Sequence, residues 1–285
     1  MTLEQRLEDA LRDLGMQRCA SAVERFQTLT RGRLAGGRLA QMYRVEADEV
    51  LLLPLGDLHL GSTYSNRSLF MRFLNYIEET PNCYTVFLGD QIENATRTSV
   101  GMGLFEEDFH LPEQLDVLYE ILRPLAQAGK IWGLHDGNHE YRTAAAVGLS
   151  PMRLLAQRLG VPYLGYQGYH LLRVRDQSYR IFTAHNRGSG RTLAGKVKAV
   201  DDVDRVAECD VYITGHAHIL HHHTKPVFWI ADDGTVVQRV RHYVICGSFL
   251  NYWGSYSEKE LLMPSVQGAP LITFSGLTHN VRVTT

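Results

Sequence analysis

Val50-Leu51-Leu52-Leu53-Pro54-Leu55-Gly56-Asp57-Leu58-His59 is a short apolar run that ends in glycine and then delivers two metal-binding side chains. The run reads as a buried strand. Glycine permits a tight turn at its end, so the side chains that follow project from the rim of a sheet. The same pattern recurs along the chain. Residues 84–88 lead into Gly89-Asp90-Gln91-Ile92-Glu93, residues 131–134 precede Gly137-Asn138-His139-Glu140, and residues 211–214 lead into Gly215-His216-Ala217-His218. His185 follows a further apolar stretch, residues 179–184. Asp, Asn and His suit first-row divalent metals, and open α/β sheets place their sites at strand ends. A lone Asp-x-His or His-x-His is ordinary decoration, whereas a series of them, each at a strand end, implies a built site.

With 285 residues, 45% of them hydrophobic, the chain has room for a full core and one large α/β domain. Its longest apolar stretches fall well short of the roughly 18 residues of a membrane helix. The start, Met1-Thr2-Leu3-Glu4-Gln5-Arg6, has no signal-peptide core, so no membrane partner and a cytoplasmic location are expected. Cys19, Cys83, Cys209 and Cys246 show no CxxC spacing. The last three adjoin or lie in strand-like runs and read as buried free thiols. A net charge of −2 excludes a broad basic footprint for nucleic acid. One local exception, Arg187-Gly-Ser-Gly-Arg191-Thr-Leu-Ala-Gly-Lys196-Val-Lys198, holds four cations and no acids and begins two residues after His185. It reads either as a glycine-rich loop that brings amides and cations onto phosphate, or as a solvated loop leading into a helix.

Leu3, Leu7, Leu11 and Leu14 form a helical stripe, and residues 1–45 read as a small helical extension before the main domain, 46–285. Leu69, Phe70, Phe73, Leu74 and Ile77 mark one helix of that domain. Leu115, Leu118, Ile121, Leu122 and Leu125 mark another, opened by Pro112 and kinked at Pro124. Ser150-Pro151 and Gly160 bracket a third, and Val200, Val203, Val206 and Ala207 line a fourth. Strand-like runs at 226–230, 236–246, 271–274 and 281–284 close the chain. Strand–helix alternation followed by a strand-rich tail fits a four-layer α/β/β/α sandwich, two mixed sheets flanked by helices.

In order and wording the motifs resemble those of the calcineurin-like metallophosphoesterase superfamily: Asp-x-His, Gly-Asp-x-x-Asp, Gly-Asn-His-Asp/Glu, His, Gly-His-x-His. The match covers residues 50–220. The resemblance implies a dinuclear centre, with Asp57, His59, Asp90 and His218 on one metal and Asp90, Asn138, His185 and His216 on the other. Asp90 would bridge the pair, and His139 would be the proton donor. Two divalent ions are the implied cofactors, manganese in vitro, with iron, zinc and nickel also suited to these ligands. The implied reaction is hydrolysis of a phosphate ester by in-line attack of a metal-bridging hydroxide. The residue types suit that chemistry. Two divalent ions bring four positive charges and the two aspartates return two, so roughly two remain for an incoming phosphate.

Glu93 stands where the superfamily usually has Asp, a carboxylate that in relatives orients the catalytic histidine; Glu93 is expected to do the same. Glu93-Asn94-Ala95 replaces the Asp-Arg-Gly of the protein Ser/Thr phosphatases, and Gly-His-Ala-His leans toward phosphodiesterases and nucleases. A phosphodiesterase acting on nucleic acid or another diester is therefore expected. The alternative is a phosphomonoesterase acting on a nucleotide, a small phosphate ester or a phosphoprotein. Arg142, Arg187 and Arg191 are the candidate substrate contacts. The stretch between Glu93 and Pro112, with Glu106, Glu107 and Asp108, reads as an acidic lid over the metals or a plain surface loop. His221-His222-His223 reads as solvated histidines at a strand exit, since three neighbours in a row do not converge on one ion.

Overall fold

In a computed structural model of the protein, the apolar runs pair into two six-stranded sheets. The structure describes residues 40–96, 107–186, 190–231 and 233–285, and the compact unit that carries the sheets is Ala40–Thr285. Along the chain the elements are β1 (Gln41–Val45), β2 (Glu49–Leu55), α1 (Arg67–Glu79), β3 (Cys83–Phe87), α2 (Leu111–Gln127), β4 (Ile131–His135), α3 (Asn138–Val147), α4 (Pro151–Leu159) and β5 (Tyr163–Gly165). They continue with β6 (Gln167–Val174), β7 (Gln177–Ala184), α5 (Leu193–Asp201), β8 (Val211–Thr214), β9 (His221–Ile230), β10 (Val236–Ile245), β11 (Leu271–Ser275) and β12 (Val281–Thr284). One sheet has the order β1-β6-β7-β8-β10-β9 and the other β12-β11-β2-β3-β4-β5. Both mix parallel and antiparallel pairs.

The layers follow from which faces are apolar. Val50, Leu52, Val86, Leu88 and Trp132 of one sheet pack on Leu172, Val174, Ile181, Val211, Ile213 and Val244 of the other. The outer face of the second sheet, through Leu53, Leu55, Phe87 and Leu134, is covered by Phe70, Leu74 and Ile77 of α1, Leu118, Leu122 and Leu125 of α2, and Met152 and Leu155 of α4. Val200 and Val203 cover the outer face of the first through Phe182, Tyr212, Tyr243 and Ile245. The result is the α/β/β/α sandwich expected from the sequence. Local signals hold as well. The Ser150 side chain accepts from Arg153 N at 3.0 Å, and Gly160 ends α4 with φ of 70°. Helix α2 runs past Pro124 to Gln127. No helix among the described residues is long and apolar enough to cross a membrane. Cys83, Cys209 and Cys246 are buried and free.

The structure differs from the sequence reading at the start of the domain. Residues 41–45, assigned above to a helical extension, form a strand that pairs in parallel with β6. Tyr43 holds it in place, stacking on Trp132 with centroids 4.4 Å apart and donating its hydroxyl to Trp132 O at 2.9 Å. The helical stripe at residues 3–14 lies outside the described residues. Strands β5 and β6 are also additions to that reading.

A polar bridge spans the apolar interlayer. Thr183 Oγ1 lies 2.8 Å from both His135 Nε2 and His170 Nε2, and His135 Nδ1 lies 2.9 Å from Gly165 O. With His135 donating through Nδ1, the Thr183 hydroxyl donates to its Nε2 and accepts from His170 Nε2–H. His170 Nδ1 is then a bare, unpartnered nitrogen. Burial pulls His170 down to a pKa of about 3. Below pH 6.5 an unfolded imidazole gains a proton that the folded one refuses, so this stability is complete above that pH and declines as pH falls toward 3, by about 1.4 kcal/mol per unit. Urea unfolding of wild type and His170→Phe between pH 7.5 and 5 should show the steeper acid loss in the wild type; parallel slopes would refute the assignment.

Candidate metal centre

Strands β2, β3 and β4 run parallel, as do β7 and β8, so their C-terminal ends open on shared rims. The two rims meet at the site, where His185 Nδ1, from the end of β7, lies 2.8 Å from Leu88 O, at the end of β3. To turn side chains inward there, the backbone adopts left-handed conformations at Asp57 (φ 54°), His59 (52°), Asp90 (50°), His216 (69°) and His218 (51°). Non-glycine residues rarely occupy that region, and such strain persists only where the surroundings enforce it.

Here the enforcement comes from hydrogen bonds between the loops. Asp57 N donates to Gly89 O (3.1 Å), His59 N to Asp90 O (3.0 Å), His216 N to Asp57 Oδ2 (2.9 Å) and His139 N to Asp90 Oδ1 (2.9 Å). The fully buried Glu140 carboxylate accepts four backbone N–H groups, those of Asp90 (2.9 Å), Gln91 (2.8 Å), Ile92 (3.2 Å) and Gly137 (2.7 Å). Gly137 is fitted so closely that a Cβ there would lie 2.1 Å from Asp90 Oδ1.

The expected ligands come together in two overlapping groups. Ligand atoms of Asp57, His59, Asp90 and His218 lie within 4.8 Å of one another, as do those of Asp90, His185 and His216. Asp90 belongs to both. Asn138 Oδ1 is 3.0 Å from His185 Nε2, alongside the second group. The tautomers are set from outside. His59 Nδ1 is 3.0 Å from Glu93 Oε2, and His185 Nδ1 faces the Leu88 carbonyl, so each ring turns its other nitrogen inward. His59 Nε2 and His218 Nε2 face each other at 3.4 Å, beside carboxylates that are 0% and 1% exposed.

Converging lone pairs around two buried anions fit cations. Asp57 Oδ1 lies 3.2 Å from His218 Nε2, yet it is a buried oxygen without a well-formed hydrogen bond. Burial works against ionising Asp57 and Asp90, but the facing imidazoles, His218 foremost for Asp57 and His185 for Asp90, hold both below the usual carboxylate range. In turn, against burial, Asp90 foremost lifts His185 to about 10. Divalent ions would supply the same positive charge, and the donor set of Asp, Asn and His suits them.

Around His139 the structure departs from expectation. Its Nδ1 is 2.7 Å from the backbone carbonyl of Glu93, closer than the Glu93 carboxylate at 3.5 Å. The carboxylate lies closer to His59, at 3.0 Å. Glu93 therefore orients the acid candidate through its main chain and a ligand candidate through its side chain. Arg142 braces this corner, donating to Glu93 O and to His139 Nε2, both at 3.0 Å. Burial pulls His139 down to about 4 despite Asp90 nearby. Arg191 pairs with Glu260 at 2.9 Å on the surface, and Arg187 lies outside the described residues. Two acids of the expected lid are engaged in loop contacts, Glu107 with Ala95 N (2.7 Å) and Gln114 Nε2 (3.0 Å), and Asp108 with Arg67. The histidines at 221–223 lie within β9 rather than at a strand exit and are half-buried, with His223 Nε2 2.7 Å from Asp201 and His222 stacked on His242.

No protein-family model matches the chain, and no curated protein matches it either. Among solved structures, the chain is similar to a predicted phosphoesterase from Streptococcus pneumoniae TIGR4 (12% identity over 84% of this chain and 91% of that one, TM-score 0.36). It is similar also to a metallophosphoesterase from Sphaerobacter thermophilus (12%, 82% and 86%, TM-score 0.38) and to Vps29 from Chaetomium thermophilum (16%, 82% and 95%, TM-score 0.36). At such identities and TM-scores, what the site does is read from its own residues.

Glu140 was not singled out in the sequence; its signal is an acid at the third position of a helix that opens on glycine. Glu140→Gln keeps the shape but turns an amide NH₂ toward N–H donors. It should cost on the order of 3 kcal/mol of unfolding free energy in urea. An unchanged midpoint would show that the four contacts do not hold the loops.

Proposed function

We propose that the protein is a dinuclear-metal-dependent phosphoesterase that acts by preference on phosphodiesters, nucleic acid among them. The observation that supports this most directly is the sharing of Asp90 by two ligand clusters with His139 alongside. Divalent ions held at those clusters, manganese foremost, would supply Lewis acidity toward the phosphoryl oxygens and make a water nucleophilic near neutral pH. The chain's own residues do the rest. Asp90 spans the two positions, Glu93 and the Leu88 carbonyl fix the tautomers of His59 and His185, and Glu140 keeps the second and third loops in register.

His139 is the proton donor to the leaving oxygen. Its Nδ1–H is committed to the Glu93 carbonyl, so Nε2 carries the transferred proton. Arg142 donates to Nε2 at 3.0 Å. A phosphate offers that guanidinium a better acceptor, and its negative charge favours the imidazolium. The diester preference draws on the Gly-His-Ala-His motif and on the ion pair of Asp108 with Arg67, which leaves less free acidity to repel a polyanion. Buried free thiols support a reducing, cytoplasmic setting.

Turnover of bis-p-nitrophenyl phosphate, p-nitrophenyl phosphate and single-stranded DNA with Mn²⁺ tests the assignment. Metal-dependent diester cleavage is expected, lowered by roughly 10²–10⁴-fold in His139→Ala with metal content retained. Monoester turnover with diesters untouched would overturn the substrate class. Asp90→Asn should reduce metal at both positions in elemental analysis; two full equivalents retained would refute the bridging role.

A further inference from the structure

Among the described residues of the basic segment, Lys196 is the cation that reaches the loop carrying His216 and His218. It lies on α5, whose Thr192 N-cap accepts from Gly195 N at 3.2 Å. Its neighbours in the segment are engaged elsewhere, Arg191 with Glu260 and Lys198 with Asp202. The Lys196 ammonium instead donates to Ala217 O at 2.5 Å, and Ala217 stands between His216 and His218, one residue from each ligand cluster. An ammonium carries three donors, and this carbonyl takes one. Among the described residues no carboxylate pairs with Lys196, although the side chain is half-buried. A half-buried ammonium with donors to spare is able to take an anion as a further partner.

Resting on the phosphoesterase reading, we infer that Lys196 binds a non-bridging oxygen of the substrate phosphate at the His216–His218 rim, as a positioning cation supplied by the chain itself. The side of the centre matters. His139 and Arg142 stand beside Asp90 on the helix opened by the third motif, whereas Lys196 comes from the helix that follows His185, so a phosphate over the clusters would be held between a proton donor and a fixed positive charge. Burial holds the Lys196 amine below its ordinary pKa, with Asp57 working the other way, and a phosphate close by would favour the charged form. Among the described residues the segment thus acts through Lys196 rather than through Arg191, which pairs with Glu260.

Binding of inorganic phosphate to the Mn²⁺-loaded protein, measured by calorimetry with metal content and melting temperature in parallel, tests this. Lys196→Met should retain metal and melting temperature while phosphate affinity falls tenfold or more, and Lys196→Arg should recover part of it. If phosphate binds Lys196→Met as it binds wild type, the inference is wrong. If metal content falls along with phosphate affinity, Lys196 is a strut for the 216–218 loop and the inference is equally wrong. If the metal-loaded wild type binds no phosphate, the phosphoesterase reading itself fails and this inference falls with it. Lys196→Gln, with a shorter polar side chain, keeps the test open should the methionine variant misfold.

Discussion

Two carboxylates, Asp57 and Asp90, are buried almost completely in the space where the rims of two sheets meet, and the surrounding structure answers that electrostatic demand. An ionised carboxylate taken out of water is costly unless positive charge or hydrogen bonds stand in for solvent. Here imidazoles from different strand ends turn their nitrogens toward the anions, and backbone amides of His139 and His216 donate to them. The sandwich brings the donors within reach, and the buried anions determine what must be brought.

The same demand accounts for the unusual backbone. A strand ending in an ordinary turn would send its next side chain along the sheet or into solvent. Left-handed residues at Asp57, Asp90 and His216 fold the chain back so that each side chain enters the space between the rims. Each such residue carries a conformational cost of order 1–3 kcal/mol, offset by contacts that the site itself provides. Stability and site geometry are therefore hard to separate in this region.

Ligand candidates were legible in the sequence because their chemistry restricts the residue type and each follows a recognisable apolar run. The sandwich was legible for the same reason, since β2, β3, β4 and β8 are mainly apolar segments and β7 is largely apolar over its second half. Strand β6 was not. Its inward positions are Gly168, His170, Leu172 and Val174, and two of the four give no hydrophobic signal. Strand β1 is five residues long and interrupted by Arg44, and its anchor is a tyrosine stacked on a distant tryptophan. The division of labour at Glu93 was equally hidden, because it turns on a difference of less than an ångström between a side-chain and a main-chain oxygen. Lys196 and Arg191 lie in one basic segment, and only their partners distinguish them.

Glu140 has a consequence for how this centre can change. One carboxylate clasps the amides of Asp90, Gln91 and Ile92 on one loop and Gly137 on the other, across about 50 positions of sequence. Neither loop is an independent module. A graft that imports one of them from another protein would carry half of a clasp, and drift in one would have to be matched by drift in the other. Diversification is freer on the far side, where the His216 amide donates to Asp57 of the first loop rather than to that pair.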